Sequence, residues 1–530
     1  MVVVAPTDAE TLERALSRIA ESIRLIDRSG RHEFVTERTG SNRFGEGDGA
    51  LASIPACRLE HLGDPHFRAR HGLRFACMSG AMANGIGSVE IVEAMARAGF
   101  LGVFGSAGLA PAAIEHALDR IERSLGDSLP FGMNLIHSPG EPDLESAVVD
   151  LYLRRRVRLV EASAFLNLTL PVVRYRVAGI SRDSSGRVVA PNRIIAKVSR
   201  VEVASKFLAP PPEQFLRELV SAGDIDADQA QMAGSIPMAE DVTAEADSGG
   251  HTDNQPAIVL LPTMLALLEK MQAKHAYKIS PRLGAAGGIS TPWSAAAALA
   301  MGAAYLVTGS VNQSCVEAGT SPAVRRMLAQ AQQADIAMAP AADMFEMGVK
   351  VQVLKRGTLF AMRASKLYEL YRAHESLDRL TDAERANLEK TVFRAPLAEI
   401  WQQTKEFFAN RDPARIERAE RDPKQKMALV FRWYLGMSSQ WANQGDPART
   451  VDYQIWCGPA MAAFNDWVRG TFLEHPENRR VATVALNILY GAAVLTRARM
   501  ASMQGIVLPP GVPRLAPLEI DEIENRMIFS

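Results

Sequence analysis

From Leu73 onward the chain alternates short apolar runs with longer amphipathic segments, and this rhythm constrains the fold more than any single motif. An apolar run, a helix and a second run make one βα unit, and successive units lay parallel strands side by side. Phe75–Ser79, Leu101–Gly105, Phe131–Ile136 and Val157–Ala162 are predicted as the first four strands, with helices over Val89–Ala98, Ala112–Leu125 and Leu144–Arg154 between them. Ile194–Val198 is the fifth, after an excursion from Gly179 to Pro191 in which Asp183-Ser184-Ser185-Gly186 reads as a hairpin turn. Val242–Ala246, Arg282–Ala286 and Tyr305–Thr308 bring the count to eight, separated by helices over Leu260–Lys274 and Thr291–Met301. Eight such strands predict an α/β fold, a closed (β/α)8 TIM barrel.

At 530 residues the chain exceeds what one core holds, so further units are expected around that barrel. Residues 1–70 are predicted as an N-terminal extension with one helix, Glu10–Ile26, and a polar Gly-rich loop from Ser41 to Gly49. Residues 71–345 hold the barrel. After about Pro340 the strand signals fade, and Met344–Met362, Leu380–Thr391, Leu397–Ala409 and Gln425–Trp441 carry helical periodicity. Residues 346–530 are therefore a helical domain, whose last helix, Arg480–Met503, is free to return to the barrel.

A formal net charge of -1 gives no support for nucleic-acid or membrane partners. The most apolar stretches, such as Ala295–Ala304, fall short of the ~20 residues that cross a bilayer. Cys57, Cys77, Cys315 and Cys457 form no CxxC pair, which argues against structural zinc or a disulfide framework. With Asp8, Glu10 and Glu13 near its start the chain does not open like a secretory leader, and a cytoplasmic location is expected.

Two glycine turns carry the chemistry. Gly284-Ala285-Ala286-Gly287-Gly288-Ile289 leads from the seventh strand into a helix opening at Ser290-Thr291-Pro292, and Thr308-Gly309-Ser310 ends the eighth strand. Glycines let backbone N–H groups close on a phosphate, and paired turns after the last two strands are where barrels hold phosphorylated cofactors. The bland alternative is that the glycines only turn the chain. Gly85-Ile86-Gly87 lacks the third glycine of a dinucleotide fingerprint, so any nicotinamide docks elsewhere. His251, after Asp247-Ser248-Gly249-Gly250 at the end of the sixth strand, lies on the face where barrel chemistry occurs, and an imidazole moves protons near neutral pH. A hydrogen-bonded structural histidine is the competing reading.

Met78-Ser79-Gly80, Gly132-Met133-Asn134-Leu135, Asp247-Ser248-Gly249-Gly250-His251 and Ala286-Gly287-Gly288-Ile289 together resemble the nitronate monooxygenase superfamily of FMN barrels. Glu245–Asp253, Thr308–Gln313 and Met344–Lys350 are similar, more specifically, to the PfaD family of trans-acting enoyl reductases, and the likeness runs from about Leu73 to the C-terminus. The resemblance implies FMN as prosthetic group and NADPH or NADH as hydride donor. It implies 2-enoyl thioesters on an acyl carrier protein as substrates, in polyketide or polyunsaturated fatty acid synthesis. It places Ala76, Met78, Ser79, Gly80 and Asn134 near the isoalloxazine or ribityl and Gly287, Gly288, Gly309 and Ser310 at the phosphate, and counts Asp247, Gly249 and Gly250 among the cofactor-binding residues. Catalytic roles fall to His251, as proton donor or hydrogen-bond donor to the thioester carbonyl, and to Lys197 at the flavin N1/O2 edge. Lys197 reads equally well as a salt-bridged barrel residue. Alternatives are a nitronate monooxygenase-like flavin oxidase and a non-catalytic flavin-bearing scaffold of a synthase. A homodimer is left open. The run Arg154, Arg155, Arg156, Arg158 lies on the face opposite the site, so Arg174, Arg176, Arg193 or the helical domain are the expected carrier-protein contacts.

Overall fold

The computed structural model describes residues 9–28, 31–37, 50–139, 141–250, 252–409 and 411–528. The stretch Ser41–Gly49 and His251 lie outside the described residues. Eight parallel strands close a barrel: β1 Cys77–Ser79, β2 Leu101–Phe104, β3 Gly132–Ile136, β4 Leu159–Ser163, β5 Arg193–Val198, β6 Asp241–Glu245, β7 Arg282–Ala286 and β8 Leu306–Thr308. They follow in chain order, and β8 returns to β1 with Leu306 beside Cys77 and Thr308 beside Ser79. The excursion before β5 is a two-stranded hairpin, Ser181–Arg182 with Val188–Val189.

Because side chains alternate across a strand, each strand sends every second residue inside. Met78, Leu101, Val103, Leu159, Ile195, Tyr305 and Val307 form an inner core separate from the larger one between strands and helices. Tyr305 fills the interior beside Gly284, where a Cβ would lie 2.3 Å from its ring, and its hydroxyl meets Thr243 Oγ1 at 2.8 Å. The helix Pro65–His71, capped by Asp64, plugs the N-terminal end of the barrel and stacks Phe67 on Tyr305 at 4.0 Å.

That end is ionic. Asp241 receives both Nε and Nη2 of Arg282 and, at 2.9 Å, His71 Nε2. Glu240 holds Arg70 and Arg176. Burial opposes the charge on Glu240, but Arg176 and Arg70 outweigh it and hold its pKa down at about 2. Arg176 is wholly buried, and Arg193 donates to Arg70 O, so neither reaches a partner at the barrel mouth. Arg174 is engaged by Asp150 and Asp224. Arg176 and Arg193 are thereby withdrawn as docking contacts, whereas Arg174 stays at the surface. Arg155 is tied to Glu115, Asp119 and Glu122.

Beyond β8 the reading of Met344–Met362 as helix is overturned. Ile336–Pro340 and Lys350–Leu354 pair as an antiparallel hairpin, and the helix begins only at Phe360. Helices then dominate, including Leu397–Ala409 and Pro423–Gln444. The N-terminal helix is shorter than expected, Ala9–Ser17, and is followed by the strand Ser22–Arg28 in a three-stranded sheet. Among the described residues one helix, Val481–Met503, is long and apolar enough to cross a membrane (mean hydropathy 1.5), contrary to the sequence reading, but 89% of that window is buried within the protein. It packs on Pro292–Ala300, the helix after β7, and on Val89–Arg97, the helix after β1. It therefore takes the place of an eighth barrel helix. At the crossing Gly491 lets Pro292 approach to where a Cβ would be 2.4 Å away.

Candidate active site

At the C-terminal ends of the strands lies a cleft, partly open to solvent, that combines apolar wall with a few polar groups, as ligand sites do. Its floor is Gly80, Asn134, Lys197, Glu245 and Val307, one side is the glycine turns, and Met82, Ile86, Ile136 and Ile289 supply apolar wall. Lys197 and Glu245 are the charged groups lining it among the described residues.

The turn after β7 has the backbone its sequence predicts. Gly287 and Gly288 both hold φ of +79°, the left-handed region that favours glycine. A Cβ on Gly287 would lie 2.6 Å from the Ala246 carbonyl, so this turn is pressed against the end of β6. A Cβ on Gly288 or Gly309 would meet nothing within 4 Å. The two turns thus leave a concave space next to bare backbone, and a phosphate fits it. The helix Pro292–Ala300 opens on a capping box in which Thr291 and Ser294 satisfy each other.

Lys197 ends β5 with Nζ 3.4 Å from Glu245 Oε1. Burial works against its charge, but Glu245 and Glu161 outweigh burial and hold its pKa above the ordinary lysine value. Lys197 is thus a salt-bridged barrel residue that also lines the cleft. Asn134 donates to Glu161 O and to Ser163 Oγ, which fixes its side chain at the cleft floor. Ser248 Oγ donates to Glu245 Oε1 at 3.2 Å and accepts from Gly250 N, linking the floor to the Gly249-Gly250 loop.

Gly80, Asn134, Lys197, Gly249, Gly250, Gly287, Gly288, Gly309 and Ser310 come together at the cleft. The side chains of Ala76, Met78 and Ser79 do not: Ala76 and Met78 lie in the inner core, and Ser79 Oγ accepts from Asn312 Nδ2 below the floor. Asp247 turns outward instead, accepting from Asn254 and from Gln352 Nε2 at 2.6 Å. The Gly-Gly loop is thereby latched from outside the barrel by the hairpin strand Lys350–Leu354. Cys77 is buried, which pushes its thiol up to about 12.

Three contributors were missed. Glu161 and Glu245 sit inside predicted strands, where a carboxylate among apolar residues was itself a signal. Trp456 lines the cleft from a segment about 150 residues past β8, and nothing local in the sequence marks it. Gly458 nearby packs on Gly249: a Cβ on Gly458 would lie 3.0 Å from Gly249 N, and one on Gly249 would lie 3.1 Å from Cys457 N.

The chain matches the family described as nitronate monooxygenase over residues 71–395. Residues 374–453 match the inserted helical domain of [acyl-carrier-protein] S-malonyltransferase. It is 48% identical over 456 residues to one of the polyunsaturated fatty acid synthase polypeptides of Thraustochytrium sp., covering 85% of this chain and 30% of that one. It is 45% identical over 444 residues to the polyketide biosynthesis protein PksE of Bacillus subtilis, covering 84% and 58%. The chain thus spans less than two thirds of these relatives' length. Among solved structures, the enoyl reductase domain of MlnA, from the macrolactin biosynthesis cluster of Bacillus amyloliquefaciens, superposes with a TM-score of 0.80 at 40% identity, covering 84% of this chain and all of that one.

Proposed function

The chain belongs to the nitronate monooxygenase family, and from that premise we propose that it is a flavin-dependent trans-acting enoyl reductase, reducing the 2,3-double bond of enoyl thioesters on an acyl carrier protein. The observation that carries this reading is the match over the whole length of a solved enoyl reductase domain, helical region included. The same reading assigns the product to polyketide or polyunsaturated fatty acid assembly, in keeping with the relatives' names.

Gly287, Gly288, Gly309 and Ser310 would hold the phosphate of FMN, with Gly80 and Asn134 along its ring and Lys197 beneath. FMN, when bound, supplies a two-electron carrier between NAD(P)H and the β-carbon of the enoyl group. Lys197 keeps a positive charge at the floor, which favours negative charge developing above it. His251, next in sequence after Gly249-Gly250, would give the α-proton or hydrogen-bond the thioester carbonyl. Trp456 with Met82 and Ile136 walls the cleft with apolar surface that excludes water and suits an acyl chain.

The test is an anaerobic assay of the purified yellow protein with NADPH or NADH and a panel of enoyl-carrier-protein and enoyl-coenzyme A thioesters, following flavin absorbance. Reoxidation by the enoyl thioester supports the reading. Bleaching of the oxidised flavin by a nitroalkane, reversed when air is admitted, with no reoxidation by any enoyl thioester, replaces it with an oxidase.

A further inference from the structure

We propose that Glu161, Lys197 and Glu245 form one proton-holding unit under the cleft, in which Glu161 is the neutral carboxylic acid at neutral pH and Lys197 and Glu245 are the ion pair. The inference rests on the flavin reading only for its consequence, not for the protonation itself.

The geometry is unequal on the two sides of Lys197. Its ammonium lies 3.4 Å from Glu245, while among the described residues no ion pair of 4 Å or less joins it to Glu161. Glu161 is wholly buried. Its Oε2 accepts from Ala81 N at 2.7 Å, and its Oε1, also buried, has no hydrogen-bond partner among the described residues. A buried carboxylate with one bare oxygen costs far more than the same group carrying a proton. The opposite end of the same barrel is an internal control: both oxygens of Glu240 and of Asp241 meet guanidinium or imidazole nitrogens.

The charge count agrees. Two carboxylates and one ammonium would leave a net negative charge in a buried site, and one proton removes it. Facing Glu161 are Lys197 of β5, Glu245 of β6, the Ala81 N–H and, more distantly, Tyr305. Burial is the largest influence and favours the protonated form; Lys197 and the Ala81 N–H oppose it, and Glu245 adds to it. Glu161 Oε1 lies directly under Gly80, 3.4 Å from where a Cβ would be. A flavin ring over Gly80 would therefore rest on a neutral floor at neutral pH and on a negative one once the proton is lost. Its anionic reduced form would bind less well as pH rises.

The experiment uses the full-length flavoprotein and the variants E161Q and E245Q. Infrared difference spectra at pH 7 are expected to show a carboxylic-acid carbonyl band in the wild type that E161Q lacks. E161Q, which mimics the protonated acid, should leave the flavin potential unchanged at pH 7 and lessen its fall at higher pH. E245Q should also erase the band, because Lys197 then has Glu161 as its remaining counter-ion. A wild type without the band, an E245Q that keeps it, or an E161Q potential shifted positive at pH 7 overturns the proposal. Should the protein hold no flavin, the infrared arms still decide it, and the flavin reading fails separately.

Discussion

The two ends of the barrel are built from the same strands and answer opposite needs. On β5, Arg193 at the start is locked to the backbone of the plugging helix, while Lys197 at the end faces the cleft. On β6, Asp241 at the start has both oxygens filled, whereas Glu245 four residues later shares one oxygen between Lys197 and Ser248. Saturated charge pairs hold a closed end together. Glycine, bare backbone and partly met charges leave the other end free to take a ligand.

That contrast can be broken by mutation. The largest expected effect is at the saturated end: Asp241→Ala strands Arg282 inside the barrel and should cost ~3–5 kcal/mol of stability in urea unfolding. The folded fraction should still bind flavin, and loss of binding ahead of unfolding would mean the ends are not independent. At the open end, His251→Ala should slow enoyl-driven reoxidation of reduced protein by about 100-fold or more with an unmoved unfolding midpoint. An unchanged rate would remove His251 from the chemistry. Gly287→Ala should cost ~1–2 kcal/mol from its positive φ alone, before the contact with Ala246 is counted. Gly309→Ala meets open space, so it should change stability by less than ~0.5 kcal/mol yet lower the flavin content of the purified protein.

The smallest effect is a pH slope. Burial is the main influence on His71 and lowers its pKa despite the hydrogen bond to Asp241. The unfolded chain then binds the extra proton first, so stability should decline as pH falls below the ordinary histidine value of about 6.5. Melting temperature against pH should show this slope, and His71→Gln should flatten it.

The barrel strands were legible because both of their faces are buried, so each reads as a short apolar run between helical segments. Arg282–Ala286 was predicted to the residue. Ser22–Arg28 was not, because Ile23 and Leu25 continue the apolar spacing of the preceding helix and only pairing with Arg31–Glu37 and Ala50–Ile54 makes a strand of them. Lys350–Leu354 alternates clearly, but its partner lies ten residues upstream, outside the βα rhythm. At the site, the glycine turns announced themselves by local backbone demands. Trp456 did not, since its position depends on how a helical segment folds back, and the inward turn of Glu161 depends on which face of β4 is interior.

Arg497, buried in the helix Val481–Met503, donates to the carbonyls of Ala15, Ile19, Glu21 and Pro55. Its bond to Glu21 spans 476 positions of chain. As a ribosome delivers the polypeptide, the helix Ala9–Ser17 and its sheet emerge before the barrel, yet the side chain that ties them down is made only after it. The βα units can assemble as they appear, but the ring of helices stays open until residues 481–503 have been made. A nascent chain stalled before residue 481 would hold a barrel with one side uncovered.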